Sequence, residues 1–480
     1  MSRGAWHCRV AAGLLVAGVL GGCVIGDDYT RPALDVPEKF RYEDLEARDV
    51  ANTRWWQQFE DPVLDELIDS ALANNLDVRI AAARVEEFYG ALGVTRSALF
   101  PQVGADFVAG RDLIPPSTSA SDRFQADVFA AWELDVFGRL RRLTEASRAD
   151  LLASEEGRRF AVLSLISAVA SGYIALRTID SQVDIARRTL QSRADALTIF
   201  EARHRRGAIS ELELSQQRSE YTSALATVPR LELQQAQTEN ALAVLIGRNP
   251  GPIARAKTIE ELALPTVPAG LPSEILERRP DLRQAELNLV AANARIGAAK
   301  ALYFPSISLT GLFGSASNAI DSLFTGPAEL WSYAGSVTAP IFTGGGIKGQ
   351  VGIAEARQQQ ALFAYRQAIQ SAFQEVDDAL VAGHKSREEL AAQAQGLEAL
   401  RTYTRLARMR YDNGYSSYLE VIDAERALFT AELDYARVKS DTYFALIDLY
   451  KAMGGGWVME ASAAAPQPRV SLTTNPPVLP

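Results

Sequence analysis

The chain has 480 residues, 48% of them hydrophobic, and a formal net charge of −10. That length and apolar content are ample for a large buried core, and a net negative charge argues against nucleic acid as a partner. Its cysteines are Cys8 and Cys23, too few for a disulfide framework.

Residues 1–22 carry only Arg3 and Arg9 as charges, then an apolar run from Val10 to Leu20 and the small pair Gly21-Gly22 before Cys23. A short apolar core followed by small residues is the pattern of a secretory signal. The run has about half the roughly 20 residues that a spanning helix needs. Its removal takes away Cys8, both arginines and no acid, so the exported chain is more negative still and has no internal disulfide. Leu20-Gly-Gly-Cys23 resembles the lipobox of bacterial lipoproteins. That likeness implies that Cys23 becomes the acylated N-terminus, and that Val24, where an aspartate would retain the protein in the inner membrane, sends it to the outer one. Several acyl chains anchor stably where a single chain binds only marginally.

An extended segment (23–60) with Pro32 and Pro37 leads to Trp55-Trp56. Asp61 is a good N-cap and Pro62 suits a first helical turn, so a helix starts there. Helical pattern resumes over 75–99 and stops at Phe100-Pro101, as proline restricts the residue before it. The rhythm then changes to two: Val103, Ala105 and Phe107 alternate with small or polar residues, a stretch rich in Pro, Ser and Thr follows, and 124–137 reads as strand again. This predicts a hairpin with strands at about 102–110 and 124–137. After it, 138–204 reads as one proline-free helix, with Leu176, Ile179, Val183, Ala186 and Leu190 at the 3-4 spacing of a coiled-coil seam. The uncharged stretch 160–176 reads as a buried part of that helix. A return helix covers about 209–246, with a kink expected at Pro229.

The chain then says nearly the same thing again. Asp77-Val-Arg-Ile-Ala, Gly93 and Phe100-Pro101 return 204 residues later as Asp281-Leu-Arg-Gln-Ala, Gly297 and Phe304-Pro305. Arg203 to Glu213 recurs at a spacing of 207 as Arg410 to Glu420. So long a period means two structural halves, not a solenoid. The halves are placed at 61–270 and 271–456, the second with strands at about 305–314 and 330–342, a long helix over 344–412 and a return helix over 417–453. The tail, 457–480, is expected to be disordered or a loose strap. Ile307, Leu309, Gly311 and Phe313 alternate with Ser306, Ser308 and Thr310. On periodicity alone a half-buried soluble hairpin fits as well as a barrel strand, but strands of this length and two-faced rhythm also match what a tilted strand needs to cross a bilayer. Four strands cannot close a barrel, and lipid does not tolerate open edges. Three copies would supply twelve.

Behind the lipobox, each half reads helix, hairpin, long helix, turn and long return helix. With Trp55-Trp56, Asp61-Pro62, Ala73-Asn-Asn-Leu-Asp77, Ala82-Ala-Arg-Val-Glu86, the paired Phe-Pro turns, Trp132 to Leu140, Ser273 to Leu282 and Pro340-Ile-Phe, this resembles the outer-membrane efflux ducts of the TolC superfamily, of the OprM and NodT lipoprotein type. The resemblance covers nearly the whole exported chain. It implies a mainly α fold with a transmembrane β-barrel part. It further implies a homotrimer whose twelve-stranded barrel in the outer membrane continues as a periplasmic helical barrel, docked on an adaptor protein and an inner-membrane RND-type pump. A passive duct for drugs or other small toxic solutes follows. The same fold could serve type I protein secretion or metal or oligosaccharide export, and a non-channel periplasmic coiled-coil lipoprotein is the rival from another class.

No catalytic constellation, cofactor motif or metal site competes with this reading. His204 and His384 lie in charged helical stretches without a ligand pattern, and Gly344-Gly-Gly346 lacks the Gly-Lys-Ser/Thr of a phosphate loop and reads as a strand-to-helix turn. Arg141-Arg142, Arg158-Arg159 and Arg203 to Arg206 read as solvated helix faces or a periplasmic tip. Along the last helix, Arg426 stands in an otherwise apolar stripe, three residues after Asp423. From pattern alone this is an ordinary surface pair. The resemblance instead places Leu419, Asp423 and Arg426 at the periplasmic constriction, Leu419 as its hydrophobic ring and the two charges as the groups that hold neighbouring helices closed. Gly207 and Gly414 occupy matching helix-helix turns, which the resemblance puts at the tip, in contact with the adaptor.

Overall fold

The computed structural model describes residues 24–34, 37, 40–42, 54–113, 119–264, 272–455 and 458–469. The signal, Cys23 and the residues after 469 lie outside that set. Two short helices, α1 (Pro62–Asn74) and α2 (Leu76–Ser97), stand before the first hairpin, β1 (Gln102–Asp112) and β2 (Ser121–Leu134). Two long helices follow, α3 (Arg139–Arg205) and α4 (Glu211–Leu245). The second half repeats the order with α5 (Pro272–Arg278), α6 (Pro280–Ala301), β3 (Ser306–Ser317), β4 (Glu329–Thr338), α7 (Gly346–Asp412) and α8 (Tyr418–Ala452). A last helix, α9 (Val458–Ala464), closes the described chain.

The caps explain the boundaries. Asp61 accepts from the Val63 amide at 2.9 Å, and Asn75 accepts from the Val78 amide at 3.0 Å, so each satisfies an amide that the first helical turn leaves free. Asp61 is fully buried and also receives the Tyr173 hydroxyl at 2.8 Å. It therefore ties α1 to α3.

The hairpins form one antiparallel sheet in the order β1-β2-β3-β4. The register puts Ala105, Val128, Phe313 and Trp331 in one cross-strand row, with Val103, Phe107, Trp132, Leu309, Tyr333 and Val337 on the same face. The other face carries Asp106 opposite Asp127, Thr310 opposite Ala131 and Ser308 opposite Ser336. One face is therefore apolar and aromatic, and the other is mostly polar, with Phe129 opposite Leu312 among its exceptions. On the apolar face Val103, Phe107, Phe313, Trp331 and Tyr333 are all exposed, more apolar surface than a soluble sheet leaves open.

Two strands end earlier than their sequence pattern suggests. β2 stops at Leu134 because Asp135 accepts from the amides of Leu140 and Arg141, at 2.9 and 2.8 Å, and so begins the cap of α3. β4 stops at Thr338, before Pro340, which has no amide to give the ladder. Gly138, Gly344 and Gly345 take positive φ in the strand-to-helix turns, a conformation glycine adopts without strain.

Beneath the sheet, α2, α3, α6 and α7 stand side by side in that order, and at the far end the order is α4, α3, α8, α7. The apolar stretch of α3 is long and apolar enough to cross a membrane by composition, yet Val162, Ile166, Val169, Tyr173 and Ile174 are buried in the largest core with Trp55, Trp56, Ile447 and Tyr450. α4 runs through Pro229 as one helix.

Two segments strap the outside of the helices, each held by a buried arginine that the sequence suggested was a solvated face. Arg142 donates to the carbonyls of Ile25 and Gly26, at 3.2 and 2.6 Å, and to Asp28 at 2.9 Å. Gly26 sits so close that a Cβ there would lie 2.6 Å from Gly297 Cα. Arg31 of the same N-terminal strap binds Glu286, and Tyr42 stacks on His384 at 4.4 Å. Arg158 donates to the carbonyl and hydroxyl of Ser462, at 3.2 and 2.6 Å, and the Arg469 amide reaches Glu86 at 2.6 Å. Residues 458–469 are thus packed in place, with Ala461 and Ala465 in the core.

Candidate functional site: the helix tips and the Arg426 cluster

The two tip turns are built alike. The amide of Gly207 donates to the His204 carbonyl at 2.8 Å and that of Ala208 to Arg203 at 2.9 Å; Gly414 and Tyr415 repeat this with Tyr411 and Arg410, at 2.9 and 2.8 Å. These are Schellman pairs, which need a left-handed residue at the turn. Gly207 and Gly414 supply it, with φ of +70° and +76°. A Cβ at either would meet no atom within 4 Å, so both turns face open space. The first turn then enters α4 through a capping box, Ser210 with Glu213, while Ser417 opens α8 without a side-chain cap.

Just above the turns lies a small core of Phe200, Leu214, Ala407, Tyr418, Val421 and Ile422. Tyr418 is held between Phe200 and Tyr411, with ring centroids at 4.3 and 4.9 Å. Burial, with Glu425 nearby, pushes its hydroxyl up to about 12, so it stays neutral.

Leu419, 58% exposed, points away from this core. Asp423 and Arg426 share its exposed side of α8. The Arg426 guanidinium donates across to Glu220 of α4, and Arg193 of α3 donates to the same carboxylate at 2.6 Å. Asp423 contributes only a minor attraction to Arg426. The partner of Arg426 is therefore on a neighbouring helix, not three residues back on its own. Arg193 is buried, and a buried charge without a partner is costly, so Glu220 is tied to α3 as well as α8. Next to this cluster, burial holds the carboxyl of Glu425 above its usual range, opposed by Arg408 and Arg193. The Gln217 side chain is fully buried and its amide makes no hydrogen bond among the described residues.

The sequence does not single out Glu220, Arg193 or Glu425. The signal that drew attention to Arg426, a charge in a mostly apolar helical stripe, also stands at Glu220, which follows Leu214 and Gln217 at helical spacing. It is weak there, because α4 is polar around most of its circumference.

A sheet with an apolar exposed face, mounted on helices far longer than a soluble domain needs, defines an outer-membrane channel with a helical periplasmic part. The profile of the family described as outer membrane efflux protein matches residues 67–248 and 271–455, and the chain belongs to that family. It is 36% identical over 453 residues to the toluene efflux pump outer membrane protein TtgI of Pseudomonas putida, covering 92% of this chain and 96% of that one. It is 37% identical over 453 residues to the cation efflux system protein CusC of Escherichia coli K12, covering 92% and 98%. Among solved structures, the open state of the MtrE outer membrane channel of Neisseria gonorrhoeae superposes with a TM-score of 0.83 at 34% identity, over 91% of this chain and 99% of that one.

Proposed function

We propose that three copies of the chain close into a passive exit duct, which receives small toxic solutes from an inner-membrane RND-type pump through a periplasmic adaptor and performs no catalysis of its own. The observation that carries this reading is an unfinished pseudo-symmetry. Where the two halves meet, β2 pairs with β3, and Phe137 after β2 stacks on Phe304 before β3 with centroids 5.0 Å apart. Phe342 after β4 and Phe100 before β1 are the corresponding residues, and they are 90% and 49% exposed. A second copy brought to the edge by a threefold rotation gives each its missing partner, and repeating the same step brings in the third copy and closes the ring.

The helices support the same closure. On α2 the buried stripe is Val78, Ala82 and Val85, and exposed Ile80 and Val94 lie roughly opposite it. On α7 exposed Phe363 lies opposite buried Ala354 and Ile369. In this arrangement the apolar sheet face meets lipid, the polar face lines the lumen, and acylated Cys23 anchors the strap from outside. Leu419, Asp423 and Arg426 form rings at the periplasmic mouth, Arg426 latched through Glu220, and the turns at Gly207 and Gly414 receive the adaptor.

The test is the mass of the purified protein in detergent together with single-channel conductance in a planar bilayer. A trimer with small resting conductance supports the duct, and its Phe342→Asp variant is expected to lose trimer mass. A monomer that never conducts overturns the reading.

A further inference from the structure

A cavity of about 490 Å³ lies between α3, α6 and α7 close to the sheet. Leu143, Leu302 and Ile353 contribute its apolar wall, and three arginines, Arg139, Arg295 and Arg357, line it. Two of the three are neutralised: Arg139 donates to both oxygens of Glu133 at 2.8 Å, and Arg295 binds Asp150. Arg357 is exposed and has no hydrogen-bond or ion-pair partner among the described residues. The cavity therefore presents an apolar wall under one uncompensated guanidinium.

Helix periodicity fixes the side on which it opens. Glu286, Asn293 and Gly297 of α6 meet the N-terminal strap. At 3.6 residues per turn, Arg295 and Leu302 fall on the opposite face of that helix. The cavity thus opens away from the strap, on the side that faces the lumen in the proposed duct.

We infer that this cavity is a wall subsite for amphipathic organic anions, one per chain, in which an apolar body rests against Leu143, Leu302 and Ile353 and a single carboxylate or sulfonate pairs with Arg357. The volume lies in the range of small-molecule pockets, which join apolar walls to a few placed polar groups. A guanidinium offers the forked donors that such an anion accepts. The inference rests on the duct reading for its luminal position. It makes the passage selective in one respect, retaining apolar anions near the entrance to the barrel.

The probe is 8-anilinonaphthalene-1-sulfonate, an aromatic body with one sulfonate, titrated by fluorescence onto the full chain in lipid nanodiscs, with empty discs as the reference. Its uncharged analogue N-phenyl-1-naphthylamine is titrated in parallel. Saturable binding of one sulfonate probe per chain is expected, weakened about tenfold by Arg357→Gln, the scale of a lost charged hydrogen bond, with the uncharged analogue unaffected. Ile353→Asn is expected to weaken both probes. Equal sulfonate affinity in Arg357→Gln, or no binding above empty discs, overturns the subsite. Conductance of the same preparations separates the two claims. A conducting trimer that binds no probe removes the subsite and leaves the duct, whereas a protein that binds the sulfonate through Arg357 but never conducts keeps the subsite and removes the duct.

Discussion

Arg426 of α8 donates to Glu220 of α4, a residue 206 positions earlier in the chain, and Glu220 also holds Arg193 of α3 at 2.6 Å. One carboxylate thus ties three helices together a few turns above the tips. If this is the latch of the resting duct, Glu220→Gln loosens α8 while keeping an acceptor for Arg193. Resting conductance is expected to rise several-fold, with a stability loss of about 2 kcal/mol from the weakened charged hydrogen bonds. An unchanged resting conductance in an intact trimer would dismiss Glu220 as the latch.

Arg426 and Asp423 are expected to differ in weight. Arg426 has a partner on another helix, while Asp423 is exposed and adds only a minor attraction. Entry of a large hydrophilic antibiotic should increase in both Arg426→Ala and Asp423→Ala cells, and more in the first. The reverse order would mean that contacts between chains, and not Glu220, dominate the closure.

Gly207 and Gly414 have positive φ and open space at Cβ, so a side chain there costs only the local backbone strain, about 1–2 kcal/mol. Gly207→Val and Gly414→Val are expected to reduce adaptor pull-down while the trimer yield is kept. Collapse of the trimer would show that the turns matter for folding alone.

Glu425 gives a pH dependence with a definite sign. Its carboxyl is held above the ordinary value near 4.3 by burial, so the folded chain retains a proton that the unfolded chain releases. The associated stability is present below that value and is lost as pH rises through the folded one. Thermal unfolding of the wild type should therefore show, as pH rises above the ordinary carboxylate range, a loss of stability that Glu425→Gln lacks. Parallel curves for the two proteins would remove the assignment.

Asp61 caps α1 and accepts the Tyr173 hydroxyl, itself buried. Asp61→Ala removes a cap worth about 1 kcal/mol and leaves a buried hydroxyl short of an acceptor, a further 1–3 kcal/mol. A lower unfolding midpoint with unchanged resting conductance is expected, since the residue lies in the main core and not at the tips. A midpoint within error of the wild type would contradict it.

The sequence by itself determined the twofold repeat and the succession of hairpins and long helices, because each is written in local signals: period-two alternation with Ser and Thr on one face, period 3.6 in the long helices, and Phe-Pro stops at matching offsets. The efflux-channel family, and with it the barrel part of the fold class, was legible through its resemblance in motifs such as Trp55-Trp56, Asp61-Pro62 and the paired Phe-Pro turns. The sequence also placed Gly207 and Gly414, since a left-handed turn selects its residue locally. The tertiary structure decided what depends on partners far apart in the chain. Arg142 and Arg158 sit in charged, helical sequence that reads as solvent-facing, and only the docking of residues 24–34 and 458–469 over them makes them buried anchors. Arg426 looked like half of a pair with Asp423 because helix spacing reports neighbours on one helix. Its real partner, Glu220, comes near only after α4 and α8 have packed on α3. Arg357 has no partner among the described residues for the same reason: whether a charge finds a counter-ion depends on which helices meet, and helical periodicity in one segment carries no information about that.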